Sequence, residues 1–111
     1  TDTAASAADL FRAVDHPNFL SFWQPRNYQS TAFSLDDMET VLSRLIGLHV
    51  FHWDEVTRKR LPLAEGAEAW KAYLAKAAPC GEMFASLEFV ADDDPKRFLT
   101  DAATLKTWLA G

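Results

Sequence analysis

Three side chains stand out as donors for chemistry. His49 and His52 lie within the run Leu48-His49-Val50-Phe51-His52-Trp53-Asp54, and Glu88 lies within Met83-Phe84-Ala85-Ser86-Leu87-Glu88-Phe89-Val90. Neutral imidazole and carboxylate suit a divalent cation such as Mn, Co, Zn or Mg. A carboxylate beside a hydroxyl–carbonyl pair also moves protons. Glu88 carries the strongest signal, because an acid in an apolar run needs a partner if it is buried. If Phe84, Ser86 and Glu88 share a strand face, small Ser86 leaves room beside the acid. The His-x-x-His spacing is weaker, since residues three apart on a strand point to opposite faces. A single strand histidine more often serves as a hydrogen-bonded core residue.

Other polar and aromatic groups fall near the same places. Gln24 follows the apolar run Phe19-Leu20-Ser21-Phe22-Trp23 and offers hydrogen bonds to a sugar hydroxyl. Trp23 and Trp53, at the ends of two apolar runs, are core residues or the apolar wall of a ligand site. Arg58-Lys59-Arg60 reads as a solvated loop in which one member faces a phosphate or carboxylate. Asp92-Asp93-Asp94 reads as helix-start electrostatics. Cys80, between Pro79 and Gly81, has no activating base near it in sequence.

These residues need elements to hold them, and 111 residues make one domain, 1–111. Fourteen aromatic residues (four Trp, two Tyr, eight Phe) supply a large apolar core. The pattern predicts a helix over 3–14, stopped by Asp15-His16-Pro17-Asn18, and a strand over 19–23. A polar loop, 24–30, leads to a helix starting at Ser34, with Asp37 completing a capping box. Its stripe is Leu35, Met38, Val41, Leu42, Leu45 and Ile46, and Gly47 is its left-handed cap. A strand over 48–53, a charged loop over 54–63 and a helix over 67–78 follow, the helix burying Trp70, Tyr73 and Leu74. A strand over 83–90 precedes a last helix that starts at Pro95 and runs to about Leu109, with Phe98, Leu99, Ala102, Leu105 and Trp108 at helical spacing. Alternation of three strands with four helices predicts an α/β fold with a parallel sheet and right-handed crossovers. The nearly continuous apolar strands suggest that both sheet faces are covered. In such folds sites lie at the C-terminal ends of strands, where Gln24, His49, His52 and Glu88 fall.

Several segments together resemble one family. His16-Pro17-Asn18 precedes a strand that ends in Trp23-Gln24-Pro25. His49-Val50-Phe51-His52-Trp53, Arg60-Leu61-Pro62-Leu63-Ala64-Glu65-Gly66 with Trp70 after it, and Ser86-Leu87-Glu88-Phe89 follow in order. This order resembles the C-terminal half of the xylose isomerase-like TIM-barrel superfamily, which holds sugar phosphate isomerases/epimerases and the endonuclease IV type of apurinic-site nucleases. The resemblance implies half of a (β/α)8 barrel, with Leu20–Trp23 as strand six, Leu48–Trp53 as strand seven and Met83–Val90 as strand eight. Thr1-Asp2-Thr3 then resembles the loop after strand five, and residue 1 an internal or trimmed position of something longer.

The resemblance also implies roles. His49 matches the strand-seven metal ligand and Glu88 the strand-eight ligand, with Glu88 as the proton-transferring residue. Gln24 and His52 stand where many members carry Asp, and both depart from the family pattern. Gln24, His52, Arg60, Trp23 and Trp53 are the expected substrate contacts. The implied activity is isomerisation or epimerisation of a small sugar or sugar phosphate with a divalent metal (Mn, Mg, Co or Zn). The family's strand-five acid has no counterpart here, so residues 1–111 alone are expected to be inactive.

Two other readings stand beside this one. An open three-stranded sheet leaves two edges unpaired, which a missing N-terminal half or a second copy of the chain would cover; a non-catalytic, self-associating half-barrel follows from the latter. Phosphodiester cleavage at abasic DNA fits the superfamily, but a net charge of -5 opposes a nucleic-acid partner. No apolar run approaches the roughly 18–20 residues of a membrane span. The first residues do not resemble a signal peptide, and a single cysteine allows no intrachain disulfide. The expected location is cytoplasmic.

Overall fold

Three of the four α-helices begin where the sequence offers a side-chain acceptor to unpaired N–H groups. In a computed structural model that describes residues 2–111, Thr3 and Ser6 form a reciprocal capping box at the start of helix α1, Ala4–Val14. Thr1, in the segment that resembles a post-strand loop, lies outside the described residues. Strand β1, Ser21–Trp23, follows, then helix α2, Thr31–Glu39, strand β2, Leu45–Val50, and helix α3, Ala67–Ala77. Strand β3, Phe84–Leu87, and helix α4, Pro95–Ala110, complete the order, with Asp94 capping α4 ahead of Pro95. The described residues thus form an α/β fold with a three-stranded parallel sheet and four α-helices, as the alternation predicts. None of these helices is long and apolar enough to cross a membrane.

The middle of the chain departs from the expected boundaries. Helix α2 starts at Thr31 with Ser30 as its cap, whose side chain accepts from Phe33 N–H, so Ser34 is an interior position. It stops at Glu39, and a short 3-10 turn, Leu42–Arg44, carries the chain into β2. Leu45 and Ile46, expected on the helix, therefore pair as strand. An apolar run of this length fits either period, and pairing with β1 and β3 decides it. Arg44 anchors the turn by donating to the carbonyls of His16 and Phe19, both at 3.0 Å. Gly47 is not a helix cap. It lies in mid-strand beneath the Phe22 ring, where an added Cβ would come within 2.3 Å of Phe22 Cε1. Only a glycine lets the ring lie flat on the sheet there.

Sheet order is β1-β2-β3, with both pairs parallel. Sequential strand order with the usual right-handed crossovers puts α2 and α3 on one face, and α1 and α4 join the same core through Ala7 and Leu105. The burial pattern agrees. Trp23, Leu48 and Val50 are buried with Met38, Trp70, Tyr73, Ala77 and Leu105, and Ala85 and Leu87 pack against them. On the other face Phe22 is 45% exposed and Phe84 65% exposed. The expectation that both faces are covered is thus corrected: helices cover one face, and the strands are apolar on the second for another reason.

Helix α4 also departs from its apolar stripe. Phe98 and Leu99 face solvent, while Asp101 turns inward and accepts from Leu63 N–H at 3.1 Å. The bond ties the 3-10 turn Leu63–Gly66 to α4 and satisfies a backbone donor that burial would otherwise orphan.

Candidate functional site

Parallel register aligns the chemistry-bearing residues. His49 pairs with Ser86, and Gly47 pairs with both Phe22 and Phe84. The uncovered face therefore carries a row Phe22-Gly47-Phe84, one step toward the strand C-termini a second row of Gln24, His49 and Ser86, and Glu88 one step beyond Ser86 with its side chain reaching back to His49. Glu88 N–H donates to Val50 C=O at 3.1 Å, so the ladder continues past β3 and holds the acid beside β2.

His49 Nδ1 lies 3.1 Å from Gln24 Oε1 and 3.6 Å from Glu88 Oε2. An amide oxygen only accepts, so Nδ1 donates in the first contact. Phe22 stacks on the imidazole, with ring centres 4.9 Å apart and 29° between planes. His49 and Glu88 side chains are 36% and 33% exposed, open enough for a ligand and enclosed enough to be oriented. Phe22 as the platform under His49 is a residue that sequence reasoning missed. The period-2 alternation of Phe22 with Trp23 was the signal for it.

The pair fits two ligands of a divalent ion. Two donors about 2.1 Å from one tetrahedral ion are about 3.4 Å apart, close to the 3.6 Å between Nδ1 and Oε2. Binding through Nδ1 would displace the hydrogen bond to Gln24. Among the described residues no third His, Cys, Asp or Glu joins them in a metal-holding group. The donors present are thus a partial set.

The remaining expected contacts are distributed elsewhere. Trp23 is a core residue, 4% exposed, whose Nε1 donates to Asp37 Oδ2 at 3.0 Å. The same oxygen accepts from Arg26 Nε at 3.0 Å. Asp37, expected in a capping box, is instead a buried bridge that fastens the β1–α2 loop to α2, with Ser34 Oγ accepting Arg26 N–H at 3.3 Å. Arg26 lines one cavity with Gln24 and His49.

His52 does not join His49. It packs on Gly66, where an added Cβ would lie 2.6 Å from its Nδ1, and it lines a separate cavity between the β1–α2 and β2–α3 loops. Burial holds its imidazole below the usual value of 6.5, against the opposing pull of Glu65, Glu55 and Asp54. Asp54 is also lowered, chiefly by the hydrogen bond from Thr57 N–H, with Thr57 Oγ1 and Val56 N–H adding to it. Trp53 packs among Phe51 and Phe89 with ring centres 5.0 Å away in each case. Its Nε1 is enclosed without a hydrogen-bond partner. Arg60 is turned toward Asp93, with which it forms an ion pair, and its guanidinium lies 4.6 Å from the Phe89 ring centre. Cys80 is exposed, with its thiol 3.5 Å from Leu42 C=O.

The site is thus the group Gln24, His49 and Glu88 on the uncovered sheet face, with Phe22 as its platform. No family model, curated protein or solved structure was found to match the chain.

Proposed function

We propose that residues 2–111 form the strand-six-to-eight portion of a xylose isomerase-like barrel and supply half of a metal-dependent sugar isomerase or epimerase site. One observation carries this reading: Gln24, His49 and Glu88 converge at the C-terminal ends of three adjacent parallel strands, on the face that helices leave bare. A barrel interior has this disposition. Its strands are apolar on both faces because the inner face is filled by layers of side chains once the barrel closes.

In this reading His49 and Glu88 hold the ion together with donors from strands beyond residues 2–111. A divalent cation held by His49 and Glu88 would supply Lewis-acid polarisation of the C–O groups on two adjacent carbons of a hydroxy-carbonyl sugar. Glu88 would take the proton from the hydroxyl-bearing carbon next to the carbonyl, and the proton would return to the former carbonyl carbon in isomerisation or to the same carbon in epimerisation. Gln24 orients His49 in the metal-free state and offers its amide to a sugar hydroxyl when the ion is bound. The exposed Phe22 ring gives the sugar's C–H face an apolar surface. Turnover belongs to the completed barrel.

Titration with Mn2+, followed by paramagnetic broadening in NMR spectra, tests the half-site. Broadening should begin at Gln24, His49, Ser86 and Glu88 and be lost in His49→Gln and Glu88→Gln. Broadening centred on Asp92–Asp94, or unaffected by both substitutions, overturns the assignment.

Self-association without catalysis is a second reading, favoured by exposed Phe22 and Phe84 on a sheet whose edge strands are β1 and β3. Sedimentation equilibrium separates the two. A dimer that Phe84→Glu dissociates supports association through this face; a monomer at all concentrations rejects it.

A further inference from the structure

Arginine pairing singles out one residue. Arg12, Arg26, Arg44, Arg60 and Arg97 each pair with an aspartate. Among the described residues only Arg58 is an arginine with no carboxylate partner, and its guanidinium makes no hydrogen bond. It is nonetheless placed: its guanidinium carbon lies 5.4 Å from the Tyr28 ring centre and 5.2 Å from that of Trp53. Contacts of this kind use the π-face of the rings and leave guanidinium N–H groups available. Tyr28 and Arg58 both adopt φ of 60°, rare for residues with side chains of this size. Two loops thus hold strained backbone where they face each other, a combination found at ligand clamps.

Between these loops is a cavity of about 70 Å³. Its lining includes Arg58 and Trp53 from the β2–α3 loop and Arg26, Asn27 and Gln29 from the β1–α2 loop. Arg26 spends Nε on Asp37, which fixes its direction and leaves both terminal nitrogens unengaged. Donors therefore come from two sides, with two guanidinium groups and two amides. Of the acids in the lining, Asp54 turns Oδ1 into its own loop, accepting from Val56 N–H, Thr57 N–H and Thr57 Oγ1. Asp54 keeps its negative charge while its Oδ1 is engaged within the loop, and exposed Glu55 is the second opposing charge in the lining. Neither His49 nor Glu88 lines this cavity, so the inference stands apart from the metal reading.

We propose that this inter-loop cavity is an oxyanion site that takes the phosphoryl group of a small phosphomonoester, with Arg58 as its principal ligand and Arg26 as the second. A phosphomonoester carries nearly two negative charges and three terminal oxygens near neutral pH. It matches donors arriving from two sides, whereas a carboxylate presents two oxygens in one plane.

Titration of the chain with inorganic phosphate at low salt, read from the Arg side-chain Nε signals in NMR spectra, tests this. The Arg58 and Arg26 signals should shift saturably. Arg58→Gln should weaken binding about tenfold or more, the weight of a charge-assisted hydrogen bond. Arg58→Lys keeps the charge without the fork and should also weaken it, which covers the case of a poorly folded Gln variant. Arg60→Gln should leave binding unchanged, and Glu55→Gln should tighten it. No saturation, equal weakening by Arg60→Gln, or acetate binding as tightly as phosphate overturns the proposal. Binding that persists in His49→Gln is expected, so failure of the metal half-site and failure of this site are distinguishable.

Discussion

The two faces of the sheet are built from the same three strands and do opposite work. On one, Trp23, Leu48 and Val50, with Ala85 and Leu87 beside them, disappear under helices. On the other, Phe22, Gly47, His49, Phe84, Ser86 and Glu88 meet solvent or each other. The covered face holds the fold together through buried apolar area. The bare face spends apolar residues where they contribute little stability and places its donors together. Such a division leaves the imidazole and the carboxylate on the bare face, because a histidine and an acid within 3.6 Å would be expensive under the helices.

The comparison breaks most visibly if large substitutions on the two faces cost the same. Trp70→Ala removes a side chain that is 1% exposed and a 2.8 Å hydrogen bond to Phe51 C=O. It should cost about 3–5 kcal/mol in urea unfolding. Phe84→Ser on the bare face should stay within about 0.5 kcal/mol. Asp37→Ala comes next. It strips Trp23 Nε1 and Arg26 Nε of their shared acceptor, and should cost about 1.5–3 kcal/mol while loosening the loop that carries Gln24.

Gly47→Val sharpens the comparison from the bare side. The new side chain meets the Phe22 ring and should cost about 1–3 kcal/mol. Adding Phe22→Ala should recover part of that loss, since the clash is with a side chain.

The smallest effect is a slope. His52 is lowered from 6.5 in the folded chain, so the unfolded chain takes up the proton first as pH falls. Its contribution is present above pH 6.5 and is lost as pH falls through the lower, folded value. His52→Asn should flatten stability against pH in that window, measured by thermal unfolding. Asp54, lowered from 3.8, acts in the same direction but only in a more acidic window, so the two are separable.

Much of the fold was legible. Helix α1 was stopped by Asp15-His16-Pro17-Asn18, α3 was marked by Trp70 and Tyr73, and α4 was opened by Pro95; each has strong local punctuation. The β2 boundary was not legible, because Leu42, Leu45 and Ile46 satisfy a helical stripe and a strand equally well. Of the site, Glu88 was marked by its apolar surroundings and His49 by its place at a strand end. Arg26 and the bridging role of Asp37 were hidden, Phe22 was marked only by its alternation with Trp23, and Arg58 was visible only as one of three basic residues, because their importance lies in which residue of another element they touch.

Sequence by itself determined the alternation of strands and helices, hence the parallel sheet, and named the imidazole and carboxylate at its C-terminal ends. Only the tertiary structure decided that all the helices gather on one face and that Gln24, His49 and Glu88 share the other. It also decided that Arg60 is taken by Asp93 while Arg58 is not. The physical reason is range. Capping, proline and periodicity act within a few residues, whereas strand order, register and ion pairing couple positions such as 24, 49 and 88 that the chain separates.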